Sequence, residues 1–177
     1  MKRRLLTAVL LVVLSDFGAD TVLACGAKFL VPSRGRRFEL TPATRQQAAV
    51  LLYVNPQSSL PVMLTKLAVD PALRKAGYHP TIVQSADEFN RILRQGSWDV
   101  VLVDLLDSGT AALSEAAASA VVVPVAVNPT SSELTNARKK YATILKSPKR
   151  SQAFVDALDV AVAAQRAARA KAARRAL

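Results

Sequence analysis

Asp99-Val-Val-Leu-Val-Asp104 is the stretch of sequence that decides the fold. Four consecutive apolar residues between two aspartates leave no polar face, which predicts a strand buried on both sides. Four more segments are predicted as strands, most of them with the same continuous apolar character: 49–54, 81–83, 121–127 and 141–145. Pro124 lies inside the segment 121–127, and since proline has no N–H for a ladder, we expect it at the first paired position.

Helical patterns separate these strands. Apolar residues at helical spacing, or alanine-rich composition, predict helices at 59–76 (with an irregularity at Asp70-Pro71), 86–95, 111–119, 131–140 and from 151 onward. Strands that alternate with helices and are apolar on both faces indicate a parallel sheet covered on both sides. The sequence therefore predicts an α/β fold, a doubly wound three-layer sandwich around a five-stranded parallel sheet.

The 177 residues suffice for one domain of ordinary size with appendages. The composition divides them into four parts. Residues 1–24 are predicted as a signal peptide and residues 25–46 as a basic extended N-terminal arm. Residues 47–165 form the α/β domain, and residues 166–177 a basic helical tail rich in alanine and arginine.

The N-terminus has the pattern of a secretory signal peptide. Met1-Lys-Arg-Arg is followed by a ten-residue stretch that is apolar except for Thr7, Leu5–Leu14, which is too short to cross a bilayer. Cleavage is expected after Ala24, which makes Cys25 the first mature residue. We therefore expect an exported protein, periplasmic or otherwise extracytoplasmic. The alternative is a lipoprotein with the lipid on Cys25, although Val22-Leu23-Ala24-Cys25 matches a lipobox only loosely.

The charge balance is strongly basic, with 24 Lys and Arg against 13 Asp and Glu and a net charge of +11. The tail is expected to continue the last helix and carries the cations Arg166, Arg169, Lys171, Arg174 and Arg175. Two interpretations stay open. The cations suit the negative end of the helix dipole, or they contact anionic lipid, a surface polysaccharide or an acidic protein partner. Nucleic acid is not expected, because the tail has no aromatic side chain on which bases could stack.

Several classes of chemistry are excluded by composition. One Cys and one His cannot build a disulfide framework or a Cys/His zinc cluster. The motifs of dinucleotide-binding, P-loop, nucleophile-elbow and zinc-peptidase sites are missing. We therefore predict no catalytic residue, no metal ligands and no cofactor.

Three short motifs resemble those of bacterial response-regulator receiver domains, over residues 47–165. Trp98-Asp-Val-Val-Leu-Val-Asp104-Leu-Leu resembles the family's third strand, which ends in the phosphoacceptor aspartate. Leu145-Lys146-Ser147-Pro148 resembles the lysine-containing segment after the fifth strand, and Val123-Pro124-Val125 resembles the start of the fourth. The resemblance implies a flavodoxin-like fold, with Asp104 as acceptor and Lys146 as its charge partner.

The sequence departs from the receiver pattern at the residues that serve phosphoryl transfer. Receivers carry an acidic pair after the first strand to hold Mg²⁺, and here that place is Val54-Asn55-Pro56. Thr130 comes one position later than the receiver Ser or Thr. The prediction is a degenerate receiver-like binding or protein-interaction module without catalysis, in which Asp104 and Lys146 form an ion pair. The alternative is a phosphoacceptor receiver, in a phosphorelay, that uses Asp104 and Mg²⁺.

Polar side chains are expected to gather where the strands end. The carboxyl ends of parallel strands meet at one edge of a sheet, which is where ligands bind in this class. The candidate polar cluster consists of Asn55, Asp104, Asp107, Asn128, Thr130 and Lys146. The position predicts a small-molecule or anion site there, and the partner expected for the protein as a whole is an unknown protein or an anionic surface.

Overall fold

The computed structural model describes residues 40–110, 113, 115 and 119–175. The predicted signal peptide, Cys25 and most of the predicted arm lie outside the described residues, as does most of the helix predicted at 111–119.

Five parallel strands form one sheet. Their bounds are β1 Val50–Tyr53, β2 Thr81–Val83, β3 Val100–Asp104, β4 Val121–Ala126 and β5 Leu145–Lys146. The strand order is β2-β1-β3-β4-β5, which puts β3 at the centre, and β3 is buried at all five positions. The predicted α/β class is confirmed, and the arrangement is flavodoxin-like.

Helices connect the strands and cover both faces. In the described part of the chain they are α1 Pro42–Gln46, α2 Leu60–Lys66, α3 Val69–Lys75, α4 Ala86–Gln95, a 3₁₀ helix Leu106–Gly109, α5 Ser131–Lys140 and α6 Gln152–Arg175. Helices α2, α3 and α6 pack on one face of the sheet, and α4 packs on the other, where the rings of Tyr53 and Phe89 stack 4.5 Å apart. None of these helices has both the length and the apolar character needed to cross a bilayer.

The helix predicted over 59–76 is two helices. Leu67 ends α2, and Ala68 adopts a left-handed conformation with φ of 48° before α3 begins. A continuous helix would have Pro71 face the carbonyl of Leu67, where proline has no N–H to donate and its ring would clash. Within the first turn of α3, Pro71 has no such conflict. The break therefore comes just before the predicted irregularity at Asp70-Pro71.

Pro124 is the fourth residue of β4 and is paired with Val103 of β3. The prediction that it occupies the first paired position is therefore wrong for the ladder between β3 and β4. Val121 donates to the carbonyl of Asp99, just before β3, and Ala126 accepts from Ser147 after β5. By strand alternation Pro124 faces the β5 side, where pairing begins only at Val125. No ladder hydrogen bond is lost there, which explains why a proline is tolerated within the strand.

The fifth strand is shorter and later than predicted. Pairing with β4 covers Leu145 and Lys146, whereas the sequence predicted 141–145. Tyr141 instead ends α5, and its hydroxyl donates to the carbonyl of Ser108 at 2.6 Å. This tertiary contact draws the segment away from the ladder.

The two ends of the described chain also add detail to the predictions. The last residues of the predicted extended arm form α1, capped by the hydroxyl of Thr41, so that part is helical. At the other end α6 is one continuous helix of 24 residues, and its last turns extend past the core as expected.

Candidate functional site at the carboxyl edge of the sheet

The candidate polar cluster lies at the carboxyl ends of β3 and β5 and on the loops that follow β1, β3 and β4. Since all strands are parallel, these loops leave the sheet at its carboxyl edge. The side chains of the cluster do not converge on one point, however. Three of the six form hydrogen bonds within their own loop: Asn55, Asp104 and Thr130.

Asn55 and Asp107 are the two members of the cluster that contact each other. The Asn55 amide nitrogen donates to both carboxylate oxygens of Asp107, at 3.1 and 3.2 Å. The amide oxygen of Asn55 accepts from the backbone N–H of Gln57 at 3.0 Å. This contact links the loops after β1 and β3, and it uses both polar ends of the Asn55 side chain.

Asp104 is the last residue of β3 and is only 3% exposed. Its Oδ1 accepts from the backbone N–H of Leu106 at 3.0 Å. Lys146 at the end of β5 is exposed, and the three ion pairs found among the described residues include neither side chain. The predicted ion pair between Asp104 and Lys146 is therefore wrong, because Asp104 is satisfied by its own loop and Lys146 points to solvent.

Thr130 has a structural role. Its hydroxyl accepts from the N–H of Glu133 at 3.3 Å, and the Glu133 carboxylate accepts from the N–H of Thr130 at 2.8 Å. These bonds form a capping box on α5, and hydrogen bonds from Thr130 lower the pKa of Glu133. Asn128, two residues earlier, is exposed in a left-handed turn with φ of 49°. Both residues shape the loop after β4.

The residues at this edge do not fit a receiver-type Mg²⁺ site. Mg²⁺ takes oxygen ligands, mostly carboxylate and water, and the position after β1 offers an amide that donates to Asp107. Among residues 40–110, 113, 115 and 119–175, no group of three or more His, Cys, Asp or Glu side chains is placed to hold a metal. The negative charge of Asp107 acts instead on Tyr53, whose pKa is raised mainly by burial and further by this carboxylate.

Two large apolar side chains are exposed near this edge. Leu106, beside Asp107, is 76% exposed, and Val62 in the first turn of α2 is 71% exposed. Val62 also lines an open groove of about 470 Å³ with Pro61, Thr65 and Lys66. The groove includes no member of the candidate polar cluster.

The most extensive polar network lies at the opposite, amino edge, and the sequence analysis missed it. Asp159 on α6 is 1% exposed. Its carboxylate accepts two hydrogen bonds from Arg45 on α1, at 2.9 and 2.7 Å, and one from the Tyr78 hydroxyl at 2.7 Å. Burial and the hydrogen bond to Asp159 raise the pKa of Tyr78 far above its ordinary value. A sequence signal existed, because Asp159 falls within the apolar stripe between Val155 and Val162.

A second ion pair holds the end of α6 to this edge. Asp99, just before β3, accepts from the Arg169 guanidinium at 2.6 Å and from the N–H of Ala49 at 2.9 Å. Arg169 also donates to the carbonyl of Trp98 at 3.1 Å, and Arg166 donates to the carbonyl of Thr44 at 3.1 Å. Two of the five tail cations therefore bind the fold itself.

Comparison with known proteins finds no matching family and no similar curated protein. Among solved structures, the chain is similar to one from Burkholderia pseudomallei K96243 described as a "Putative pilus assembly-related protein". The two are 20% identical, the similarity covers 67% of this chain and 92% of that chain, and the TM-score is 0.47. The similarity is distant and concerns the fold.

Proposed function

We propose that this chain is a receiver-like binding module without phosphoryl-transfer activity. The observation that carries the proposal is the pair of hydrogen bonds from the Asn55 amide to both oxygens of Asp107. In a working receiver the position after β1 supplies carboxylates to a metal. Here that position is Asn55, whose amide N–H groups donate to the Asp107 carboxylate.

Phosphoryl transfer to an aspartate depends on neutralising charge. The transferred group carries negative charge on its oxygens, and a metal and a lysine normally offset it. The position after β1 supplies no carboxylate that could share a metal ion with Asp104, and Asp104 forms no ion pair with Lys146. The Thr130 hydroxyl is engaged in the capping box. The receiver's acidic pair is replaced, Asp104 and Thr130 are bound in local contacts, and Lys146 is exposed to solvent.

The second candidate function, a phosphoacceptor receiver, has one observation in its favour. Asp104 is the last residue of the central strand β3, which is the acceptor position in receivers. Its carboxylate is nearly buried, however, and already accepts a backbone hydrogen bond. We therefore place the binding module first.

Exposure of the full chain to acetyl phosphate and Mg²⁺, followed by intact-mass measurement, tests the proposal. We expect no phosphoryl adduct, while a catalytically competent receiver treated in parallel gains one. An adduct that is present in the wild-type chain and missing in Asp104→Asn would overturn the proposal and establish the second candidate.

We also propose that the module acts outside the cytoplasm, on the strength of the signal-peptide pattern in residues 1–24. The mass of the mature chain gives its first residue. A start at Cys25 without added mass supports an exported protein without a lipid anchor. A lipid-sized addition that Cys25→Ser removes would establish the lipoprotein alternative, and a retained Met1 would contradict export.

A further inference from the structure

The five cations at the end of α6 form two sets. Successive helical residues differ by about 100° around the axis. Arg166 and Arg169 therefore share the side that bonds to Thr44 and Asp99. The other three cations, at spacings of three and four, lie together on the opposite side: Lys171, Arg174 and Arg175. The helical spacing thus separates two cations that bind the fold from three that lie on the other side of α6.

The second set extends beyond the fold. Arg169 is held at the amino edge by Asp99, and α6 then continues for six residues, or about 9 Å at 1.5 Å per residue. Residues 167–175 are all exposed. No carboxylate in the described part of the chain forms an ion pair with Lys171, Arg174 or Arg175. The helix thus presents three uncompensated cations on a segment whose base is fixed.

Neighbouring elements add positive charge to the same edge. Helices α3 and α4 run down to the amino ends of β2 and β3, and their last turns carry the exposed Lys75 and Arg94. The two buried carboxylates of this region, Asp99 and Asp159, are already bound by arginines. We call the exposed cations together the basic edge: Lys75, Arg94, Lys171, Arg174 and Arg175.

The start of the described chain joins the fold on this side too. The backbone N–H of Leu40, the first described residue, donates to Asp159. In the sequence, residues 28–38 combine four cations with two phenylalanines and a leucine. The first described residue thus joins the fold at the same edge as the end of α6.

We propose that the basic edge binds the surface of an anionic phospholipid bilayer. Arginine matches phosphate geometry with paired N–H donors, and a bilayer offers phosphates to all the spread cations at once. The residues between the α6 cations are alanines, which neither stack on bases nor fill a pocket on a protein partner. The inference names the partner of the proposed binding module and rests on that function.

Co-sedimentation of the full chain with vesicles tests the proposal. The vesicles are phosphatidylcholine with about one third phosphatidylglycerol, compared with phosphatidylcholine alone. We expect binding to the anionic vesicles only, weakened by salt. The variant Lys171→Gln/Arg174→Gln/Arg175→Gln should lower the partition coefficient roughly a hundredfold, because each cation near an anionic surface contributes about fivefold.

The matched control is Lys146→Gln/Lys149→Gln/Arg150→Gln, three exposed cations at the end of β5 and in the loop after it, which removes the same charge at the carboxyl edge. It should retain most of the binding. An equal loss in both variants would mean that net charge alone acts, and would overturn the proposal, as would no binding to anionic vesicles. Stronger retention on a DNA duplex or an acidic peptide than on vesicles, lost in the α6 variant, would assign the edge to that partner instead. A phosphoryl adduct on Asp104 would contradict the proposed function without affecting any of these results.

Discussion

The amino and carboxyl edges of the sheet hold their polar side chains by different kinds of contact. At the amino edge, Asp159 is bonded to Arg45 and Tyr78, which are 114 and 81 positions away in the sequence. At the carboxyl edge, Asp104 bonds to a residue two positions away, and Thr130 to one three positions away. The amino edge therefore joins distant parts of the chain, whereas most carboxyl-edge bonds only shape loops. Substitutions at the amino edge should therefore lower the free energy of unfolding, whereas substitutions at the carboxyl edge should change mainly the local surface.

The largest effect is expected for Asp159→Ala. Arg45 is 11% exposed in its side chain, so the substitution leaves a nearly buried guanidinium without its carboxylate and the Tyr78 hydroxyl without its acceptor. We expect the free energy of unfolding in urea to fall by about 3–5 kcal/mol.

Asp156→Ala on the same helix is the control, since that carboxylate accepts only from the Gln152 amide and should change stability by less than about 0.5 kcal/mol. A loss under about 1 kcal/mol in Asp159→Ala would contradict the comparison. The double variant Arg45→Met/Asp159→Leu should recover much of the stability, because it removes both buried charges together.

Alkaline pH should weaken the amino edge through Tyr78. Its pKa is raised by burial and by Asp159, so above the ordinary tyrosine pKa of about 10 the unfolded chain loses this proton while the folded chain keeps it. The stabilisation is complete below about pH 10 and falls by up to about 1.4 kcal/mol per pH unit above it. Urea unfolding of the wild type and Tyr78→Phe from about pH 8 to pH 11 measures the effect. A pH-independent difference between the two would show that Tyr78 titrates normally.

At the carboxyl edge, Asn55→Asp should produce a smaller, cation-dependent effect. The new carboxylate faces Asp107 without a donor between them, and we expect a loss of about 1–2 kcal/mol in EDTA. Mg²⁺ should restore the melting temperature of this variant, because a hard cation bound by both carboxylates offsets their repulsion. Asn128→Asp, the same charge change on an exposed turn, should show no Mg²⁺ response. A wild-type chain stabilised by Mg²⁺ as strongly as the variant would contradict the proposed role of Asn55.

The smallest effect is expected for Lys146→Gln. This side chain is exposed and not ion-paired with Asp104, so the free energy of unfolding should change by less than about 0.5 kcal/mol. Thermal unfolding followed by circular dichroism measures this change. A loss above about 1 kcal/mol would mean that the lysine pairs with a carboxylate in solution.

The sequence predicted elements well where local pattern and packing agree. β2, α4 and α5 have the predicted bounds, and the central strand starts one residue later than predicted. Errors arose where one distant contact or one backbone conflict decides the outcome. The segment that starts at Tyr141 has the composition of a strand, but the Tyr141 hydroxyl bonds to Ser108 and the strand begins later. Pro71 forces a break after Leu67, whose position the spacing of apolar residues does not predict.

The sequence placed the candidate residues at the carboxyl edge of the sheet but did not predict their contacts. Strand order alone places Asn55 and Asp107 at one edge, yet their contact depends on loop paths that a sequence does not specify. One residue of the amino-edge network, Asp159, could have been predicted, because a carboxylate within an apolar helical stripe requires a buried partner. The identity of that partner, Arg45, depends on the packing of α1 against α6.

The position of Trp98 gives this molecule a built-in optical probe. It is the chain's only tryptophan, its indole N–H donates to the carbonyl of Ile92 at 3.1 Å, and its own carbonyl accepts from Arg169. A Cβ at Gly96 would overlap the indole ring, so the ring lies tightly against the backbone. Its emission will therefore follow release of the α6 end from the sheet without a label, and it will be insensitive to events at the loops of the opposite edge.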